Sequence, residues 1–236
     1  VKEQTDSKQL KDYLCMHHIE SVFPDELQPY LTLYHFEPGE WVCSQGEALE
    51  NVYVLVKGKL KVYTTSAEGK TLILSFQKPL AVIGDIEYVQ EIDIINTVEA
   101  VSPAVMIGVH HHLLKRWAAD HPPLLQFLLH IITEKFYVKS TSLNFHFMYP
   151  VDVRLASYLL SVSFDESHAL FEGKLSTASL RDAANLIGTS YRHMNRVIQS
   201  FCAQGLVERK KGCIIVKDRQ GLQALAGQSI YEPPGR

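Results

Sequence analysis

LRDAANLIGTSYRHMNRVIQSFCAQGL, residues Leu180–Leu206, has the pattern of a helix, a tight turn at Gly188 and a second helix. Ser179 stands in front of the first helix as its N-cap, and Asp182, three residues on, supplies the acidic partner for the exposed N–H groups. Ala183, Ala184 and Ile187 form a small-residue face that lets another helix approach closely. Gly188 gives the backbone freedom needed where two helices meet at a steep angle. In the second helix Met194, Val197, Ile198 and Phe201 recur at i, i+3, i+4 and i+7, so they face a core. The opposite face carries Arg192, Asn195, Arg196 and Gln199, and Ser190, Tyr191, Arg192 and His193 sit at its N-terminal end. In a helix-turn-helix that end enters the major groove and reads base edges. Arg192 and Arg196, one turn apart, reach guanine edges or phosphates side by side. The competing reading is an ordinary helical hairpin, since such units also occur in proteins that bind no DNA.

The next stretch, GLVERKKGCIIVKD, argues against that alternative. Gly205 ends the helix, Arg209-Lys210-Lys211-Gly212 is a basic turn, and Cys213–Val216 is a strand. Helix, turn, helix and basic hairpin make a winged helix. From Arg181 to Arg219 eight Lys/Arg stand against three Asp/Glu, a net +5, whereas residues 1–180 are net −8. A whole-chain charge of −3 thus hides a basic back end on an acidic front. That division focuses phosphate attraction onto one surface.

The 236 residues, 46% hydrophobic and 21% charged, are ordinary for soluble protein and sufficient for two domains. There is no apolar run of about 18 residues, so no membrane span or membrane partner is expected. The opening VKEQTDSKQLKDYL is polar and charged, unlike a signal peptide. Cys15, Cys43, Cys202 and Cys213 lie far apart with no CxxC pair, which is reduced, cytoplasmic usage. Metal or iron–sulfur ligand spacing is missing, and no cofactor is expected with certainty.

Upstream, the first thirty residues read as helical and break at Pro24 and Pro29, with Leu10, Tyr13, Leu14 and His17 on one face. From Leu31 to about Val109 short strands alternate with glycine turns: LTLYHFEPGEWVCSQG around Pro38-Gly39, NVYVLVKGKLKVYTT across Lys57-Gly58, TLILSFQ, and IINTVEAVSPAVMIGV split near Ser102-Pro103. Val52, Val54 and Val56 share a side. Six to eight such strands predict a β sandwich or jelly-roll barrel. HHLLKRWAADHP is a short helix stopped before Pro122, and about 24 residues without Gly or Pro follow. Leu125, Leu128, Leu129, Ile132, Phe136, Lys139 and Leu143 lie near one stripe of that long helix, which is expected to bury itself against a second copy. Intramolecular packing is the alternative. After Tyr149-Pro150 a new helix turns Val153, Ala156, Leu159 and Leu160 inward, and a short helix follows Gln220.

A glycine-punctuated β domain, a long helix and a winged helix-turn-helix in this order resemble the Crp/Fnr family of bacterial transcription regulators over nearly the whole chain. The specific parts are LRDAANLIGTSYRHMNRVIQSFCAQGLVERKKGCIIV and the glycines Gly39, Gly46, Gly58 and Gly84. The resemblance implies an α+β fold: an N-terminal β jelly-roll (double-stranded β-helix) effector domain over residues 1–120, a dimerisation helix over 121–148 and a winged helix-turn-helix over 149–236. It implies a homodimer held through Leu125, Leu128, Leu129, Ile132 and Phe136, which sets two recognition helices one DNA turn apart on a near-palindrome of double-stranded DNA. Positions matching Tyr191, Arg192 and Arg196 face bases in the family. Those matching Ser179, Thr189, Ser190 and His193 lie close to the DNA backbone. Arg181, Lys210 and Lys211 complete the expected DNA-binding set. RNA polymerase is implied as a further partner. The family often has an acidic residue at the Arg192 position, so a basic one predicts a different operator.

The effector site departs from the family. Its cyclic-nucleotide binders carry Gly-Glu-Leu in the phosphate loop and an Arg about ten residues on. Here the loop is Gly84-Asp85-Ile86, and the later positions are Ile94, Ile95 and Asn96. A buried phosphate without a guanidinium lacks its main charge partner. Tight cyclic-AMP binding is therefore not expected, and a pocket around Gly84, Asp85, Ile86, Asn96 and Thr97 takes another small-molecule effector or none. Thiol sensing by Cys15 or Cys43 is the alternative to a buried structural role, which is the expectation for both. His110-His111-His112 and His17-His18 invite a metal, but helical neighbours point about 100° apart and do not converge. Trp41 and Trp117 read as core or domain-contact residues. A cupin-like jelly-roll enzyme needs two His and a Glu on adjacent strands, and Leu31–Val109 contains one histidine, His35. A protein–protein module built on the winged helix is disfavoured by its basic hairpin.

Overall fold

A computed structural model describes residues 2–4, 7–67, 69, 71–163, 174–176 and 180–226. Its contacts divide the chain into two compact units, Val1–Lys135 and Phe136–Arg236. The first contains β1 (Lys2–Gln4), α1 (Ser7–Met16), β2 (Thr32–Phe36), β3 (Trp41–Cys43), β4 (Asn51–Lys57), β5 (Leu60–Thr65), β6 (Thr71–Gln77) and β7 (Ala81–Ile83). It continues through α2 (Asp85–Gln90), β8 (Thr97–Ala100), β9 (Ala104–His110) and α3 (His111–Ala118) into α4 (Pro122–Met148), within which the division falls.

Two antiparallel sheets build this unit, one ordered β1-β2-β9-β4-β7 and the other β3-β8-β5-β6. Alternation along each strand sorts its side chains. Phe36, Leu55, Ala81, Ile83, Ala104 and Met106 of the five-stranded sheet meet Leu60, Val98 and Ala100 of the four-stranded sheet. The other face of the five-stranded sheet carries Leu33, Val52, Val54, Val56, Ile107 and Val109 and packs on Leu14, Leu114, Leu124, Leu128 and Ile131 from the helices. Being covered on both faces explains the near-continuous apolar runs of β4 and β9.

β4 and β5 do not pair across Lys57-Gly58 as a hairpin would: they belong to different sheets. Gly58 makes the crossing at φ +94°, where a Cβ would strike the backbone of Pro103 and Ala104. The N-terminal stretch is not wholly helical either. Lys2–Gln4 pairs antiparallel with Leu33–His35. Three polar residues offer no apolar alternation from which to foresee an edge strand.

The α4 expectation needs a correction. Leu128 is 4% exposed and lies in the core of the first unit with Leu124 and Ile131. Leu129 and Phe136 are 63% and 72% exposed, Leu125 is also exposed, and Ile132 is half-buried. The helix therefore has an inner stripe and an outer stripe, and Leu128 belongs to the inner one. Pro122 and Pro123 open the helix, where a missing N–H does no harm.

Two further expectations change. The three neighbouring histidines do come together, with ring centroids 3.9 to 5.1 Å apart. His110 ends β9 and its Nδ1 accepts from the His112 N–H as the N-cap of α3, while His111 and His112 lie inside α3. Trp41 is exposed on β3 and Trp117 is exposed on α3, so neither is a core residue. Among the described residues no group of three His, Cys, Asp or Glu is arranged to hold a metal ion, and no helix is long and apolar enough to cross a membrane.

The second unit holds α5 (Val151–Ser163), β10 (Lys174–Ser176), α6 (Leu180–Leu186), α7 (Tyr191–Ala203), β11 (Val207–Lys210), β12 (Cys213–Val216) and α8 (Arg219–Ala226). Leu155 and Leu159 of α5, Leu180 and Ala183 of α6, Met194, Ile198 and Phe201 of α7, Ile214 of β12 and Leu222 of α8 form one core. The strands pair in the order β10-β12-β11.

Candidate nucleic-acid interface

α6 ends through a glycine-based cap. Gly188 adopts φ +66°, its N–H donates to the Asn185 carbonyl at 3.2 Å, and the Thr189 N–H donates to the Ala184 carbonyl at 2.9 Å. This pair of bonds closes a Schellman motif and turns the chain sharply. Ser190 then caps α7, its Oγ accepting from the His193 N–H at 3.1 Å. Met194, Ile198 and Phe201 anchor the inner face of α7, which leaves Tyr191, Arg192, His193, Arg196 and Gln199 exposed. Arg192 and Arg196 are one turn apart on that free surface.

The other expected contacts divide. Thr189 lies at the same end, its Oγ1 3.4 Å from His193 Nδ1. Arg181 is exposed on α6 with its guanidinium 5.9 Å from the Tyr191 ring centre. Lys210 and Lys211 are exposed at the hairpin, where Cys213 pairs with Lys210 and Gly212 takes φ +86°. Lys210 Nζ is 3.6 Å from Glu208 Oε2, which also lies 3.5 Å from Lys217. Ser179 lies outside the described residues.

Asn195 is not a free polar group of the outer face. Its Nδ2 donates to the Tyr191 carbonyl at 2.9 Å, and its Oδ1 accepts from Arg209 Nη1 at 3.0 Å. The amide thereby ties β11 of the wing to the first turn of α7. No local pattern in the sequence distinguishes Asn195 from a base-reading asparagine, because its partner is 14 residues away.

In the β domain the effector residues fall on two elements. Gly84 is the left-handed N-cap of α2 and Ile86 is half-buried. Asp85 does not offer itself to a ligand: it is buried, and both its carboxylate oxygens accept from Lys135 Nζ at 2.8 Å. Lys135 also donates to the Val82 carbonyl at 2.6 Å. Glu87, unremarked in the sequence, is buried and accepts from the Ile95 N–H at 3.1 Å. The Asn96 carbonyl accepts from the Cys43 thiol at 3.9 Å, and Thr97 Oγ1 accepts from the Gln45 N–H. From Pro79 to Leu114 the chain has no Lys or Arg, while Asp85, Glu87, Glu91, Asp93 and Glu99 are acidic. The loop itself thus carries carboxylates and no guanidinium, and the Lys135 ammonium beside it is bonded to Asp85 and to the Val82 carbonyl.

The same acidity acts on Cys43. Burial, reinforced by the nearby Glu87 carboxylate, pushes its thiol up to about 12. Cys15, expected to be buried, is exposed on α1. Iodoacetamide at pH 7.5 is expected to alkylate Cys15 and spare Cys43 in the folded protein, since the thiolate is the nucleophile. Peptide mass spectrometry checks this, and equal labelling of both would contradict the burial argument.

The family models that match are the Cyclic nucleotide-binding domain over residues 33–121 and the Crp-like helix-turn-helix domain over residues 153–225. The chain is similar to the regulatory protein YeiL of Escherichia coli O157:H7, 25% identical over 211 residues that span 88% of this chain and 93% of the relative. It is similar at 20% identity over 201 residues to a CRP-like cAMP-activated global transcriptional regulator of Mycobacterium tuberculosis, covering 84% of this chain and 87% of that protein. Its fold matches that of a CRP-family transcriptional regulator from Thermus thermophilus with a TM-score of 0.70 at 20% identity, over 84% of this chain and 98% of the other. With a nucleotide-binding-type β domain ahead of a capped helix-turn-helix and a basic wing, the chain belongs to the Crp/Fnr family of transcription regulators.

Proposed function

We propose that the chain acts as a homodimer that binds a near-palindromic DNA duplex through α7 and regulates transcription without cyclic AMP. The carrying observation is the exposed Arg192–Arg196 surface of α7 beside the exposed wing lysines Lys210 and Lys211, in a chain that is otherwise acidic. Arg192, Arg196 and Tyr191 read base edges, while Thr189, Ser190, His193, Arg181 and the wing lysines meet the sugar-phosphate backbone. Ser179 is carried over from the family as a further backbone contact. The outer stripe of α4, Leu125, Leu129, Ile132 and Phe136, meets its symmetry mate in a self-complementary interface. Residues 1–120 then form the effector domain, 121–148 the dimerisation helix and 149–236 the DNA-binding domain. RNA polymerase is the partner that such a regulator engages, in the cytoplasm.

Sequencing of DNA co-purified with the protein, followed by binding measurements on the recovered fragments, tests this reading. Recovered fragments should share a two-fold motif with half-sites about one helical turn apart. Recovery of bulk DNA with no common motif, at several salt concentrations, would remove it.

The relative from Mycobacterium tuberculosis is described as cAMP-activated. The paired Asp85, the buried Glu87 and the missing guanidinium support a different response here. Cyclic AMP at micromolar concentration is expected to leave the melting temperature unchanged. A ligand present at a hundred times its Kd stabilises by about 2.7 kcal/mol, roughly 5–10 °C for a chain of this size. A shift of that size would overturn the effector reading and leave the DNA reading intact. A different small-molecule effector, or none, then fits the domain.

A further inference from the structure

We propose that Arg154 is a positioning residue for DNA recognition: it holds the peptide joining the two helices of the helix-turn-helix and thereby aims α7. The inference rests on α7 being the DNA-reading helix. Arg154 lies on α5 and is 9% exposed. Its Nη1 donates to the carbonyl oxygen of Ile187 at 2.7 Å, across 33 residues of sequence.

The Ile187 carbonyl needs a distant donor. The Schellman bonds at the end of α6 satisfy the carbonyls of Ala184 and Asn185. The carbonyl of Ile187 lies beyond that ladder, at the negative end of the helix. A guanidinium is the side chain best matched to it, being permanently cationic and able to form a short charge-assisted bond.

The leverage comes from position. Only Gly188 and Thr189 separate Ile187 from Ser190, the N-cap of α7. Rotation of the Ile187–Gly188 peptide swings the whole of α7, and glycine resists such rotation less than any other residue. Arg154 removes that freedom from α5, a separate helix of the same core. Stability alone does not explain an arginine here. Burying a charge is expensive, and apolar side chains of similar volume often serve a core as well or better. The Arg154 Nε also finds no hydrogen-bond partner among the described residues. What the arginine provides is a fixed direction for the turn.

The test uses the full chain and a duplex that the wild-type protein selects from a random pool, with a scrambled duplex of equal length as control. Affinity for both is measured for wild type, Arg154→Met and Arg154→Lys, together with amide hydrogen exchange at Gly188–Tyr191. Arg154→Met is expected to lose at least tenfold in affinity for the selected duplex and to keep its affinity for the scrambled one within twofold. Exchange at Gly188–Tyr191 should accelerate while core amides of α5 and α8 stay protected. Arg154→Lys, which retains a donor, should recover most of the lost preference.

Unchanged selectivity with unchanged exchange in Arg154→Met overturns the proposal, and so does an equal loss of selected and scrambled binding. If Arg154→Met fails to fold, Arg154→Lys decides: selectivity and exchange at the turn must change together or be retained together, and either changing alone overturns the role. A wild-type protein that selects no duplex sinks the DNA reading instead, and hydrogen exchange then judges whether Arg154 holds the turn.

Discussion

Arg196→Ala is expected to abolish selective DNA binding while leaving the chain folded and its self-association unchanged. The side chain is exposed on α7, on the surface opposite Met194, Ile198 and Phe201. Truncation therefore removes no core contact, and a surface change of this kind alters stability by about 0.5 kcal/mol or less. A lost arginine–guanine pair costs about 1–3 kcal/mol per half-site. A two-fold dimer loses it twice, about 2–6 kcal/mol for the complete operator on the same basis. Binding to random duplex, which rests on the summed positive charge, should fall far less. Electrophoretic or anisotropy titrations on the recovered operator and a scrambled control measure both quantities. An unchanged ratio between them would remove Arg196 from the reading surface. Arg192→Ala should act in the same direction, and it should relax preference at a neighbouring base pair rather than the same one.

Leu129→Glu is expected to yield a folded monomer, whereas Leu128→Glu is expected to unfold the first unit. The contrast isolates the two stripes of α4. Leu129 is exposed in the single chain, so a carboxylate there meets water until a second copy covers it. Across a two-fold interface the two carboxylates face each other and oppose association. Leu128 sits in the core with Leu124, Ile131 and the outward valines of the five-stranded sheet. A carboxylate at that position has no solvent and destabilises on the order of 4–5 kcal/mol, enough to exhaust the stability of many domains. Light scattering and thermal melting distinguish the outcomes. The Leu129 variant should also lose operator affinity by about two orders of magnitude or more, because linked half-site binding is lost with the linkage. A stable Leu129→Glu dimer would transfer the interface to another surface.

The two positions also show where sequence reading stops. Leu128 and Leu129 are neighbours, about 100° apart around the helix. Both lie within the broad apolar arc that periodicity reports, and the arc does not say which edge a domain will cover. Asp85 is a similar case. Its place after Gly84 marked it for the effector loop, yet a lysine 50 residues away engages both of its oxygens. The histidines are a smaller case: they do mark a helix start, but that His110 ends a strand and caps α3 with its own ring is visible only in the fold.

Local rules were sufficient wherever the interaction partners lie within one or two turns. The 3.6-residue period of Met194, Ile198 and Phe201 and the turn at Gly188 are chemistry of neighbours, and the amino-acid order alone determined them. So did the strand alternation that makes two sheets and the segregation of positive charge into the C-terminal part. Tertiary structure alone decided that Lys57-Gly58 bridges two sheets, that Leu128 turns inward, that Asn195 grips Arg209, and that Arg154 reaches Ile187. Each of these depends on which distant surface arrives opposite a given residue, and chain closure over tens of residues sets that, not the preferences of any one segment.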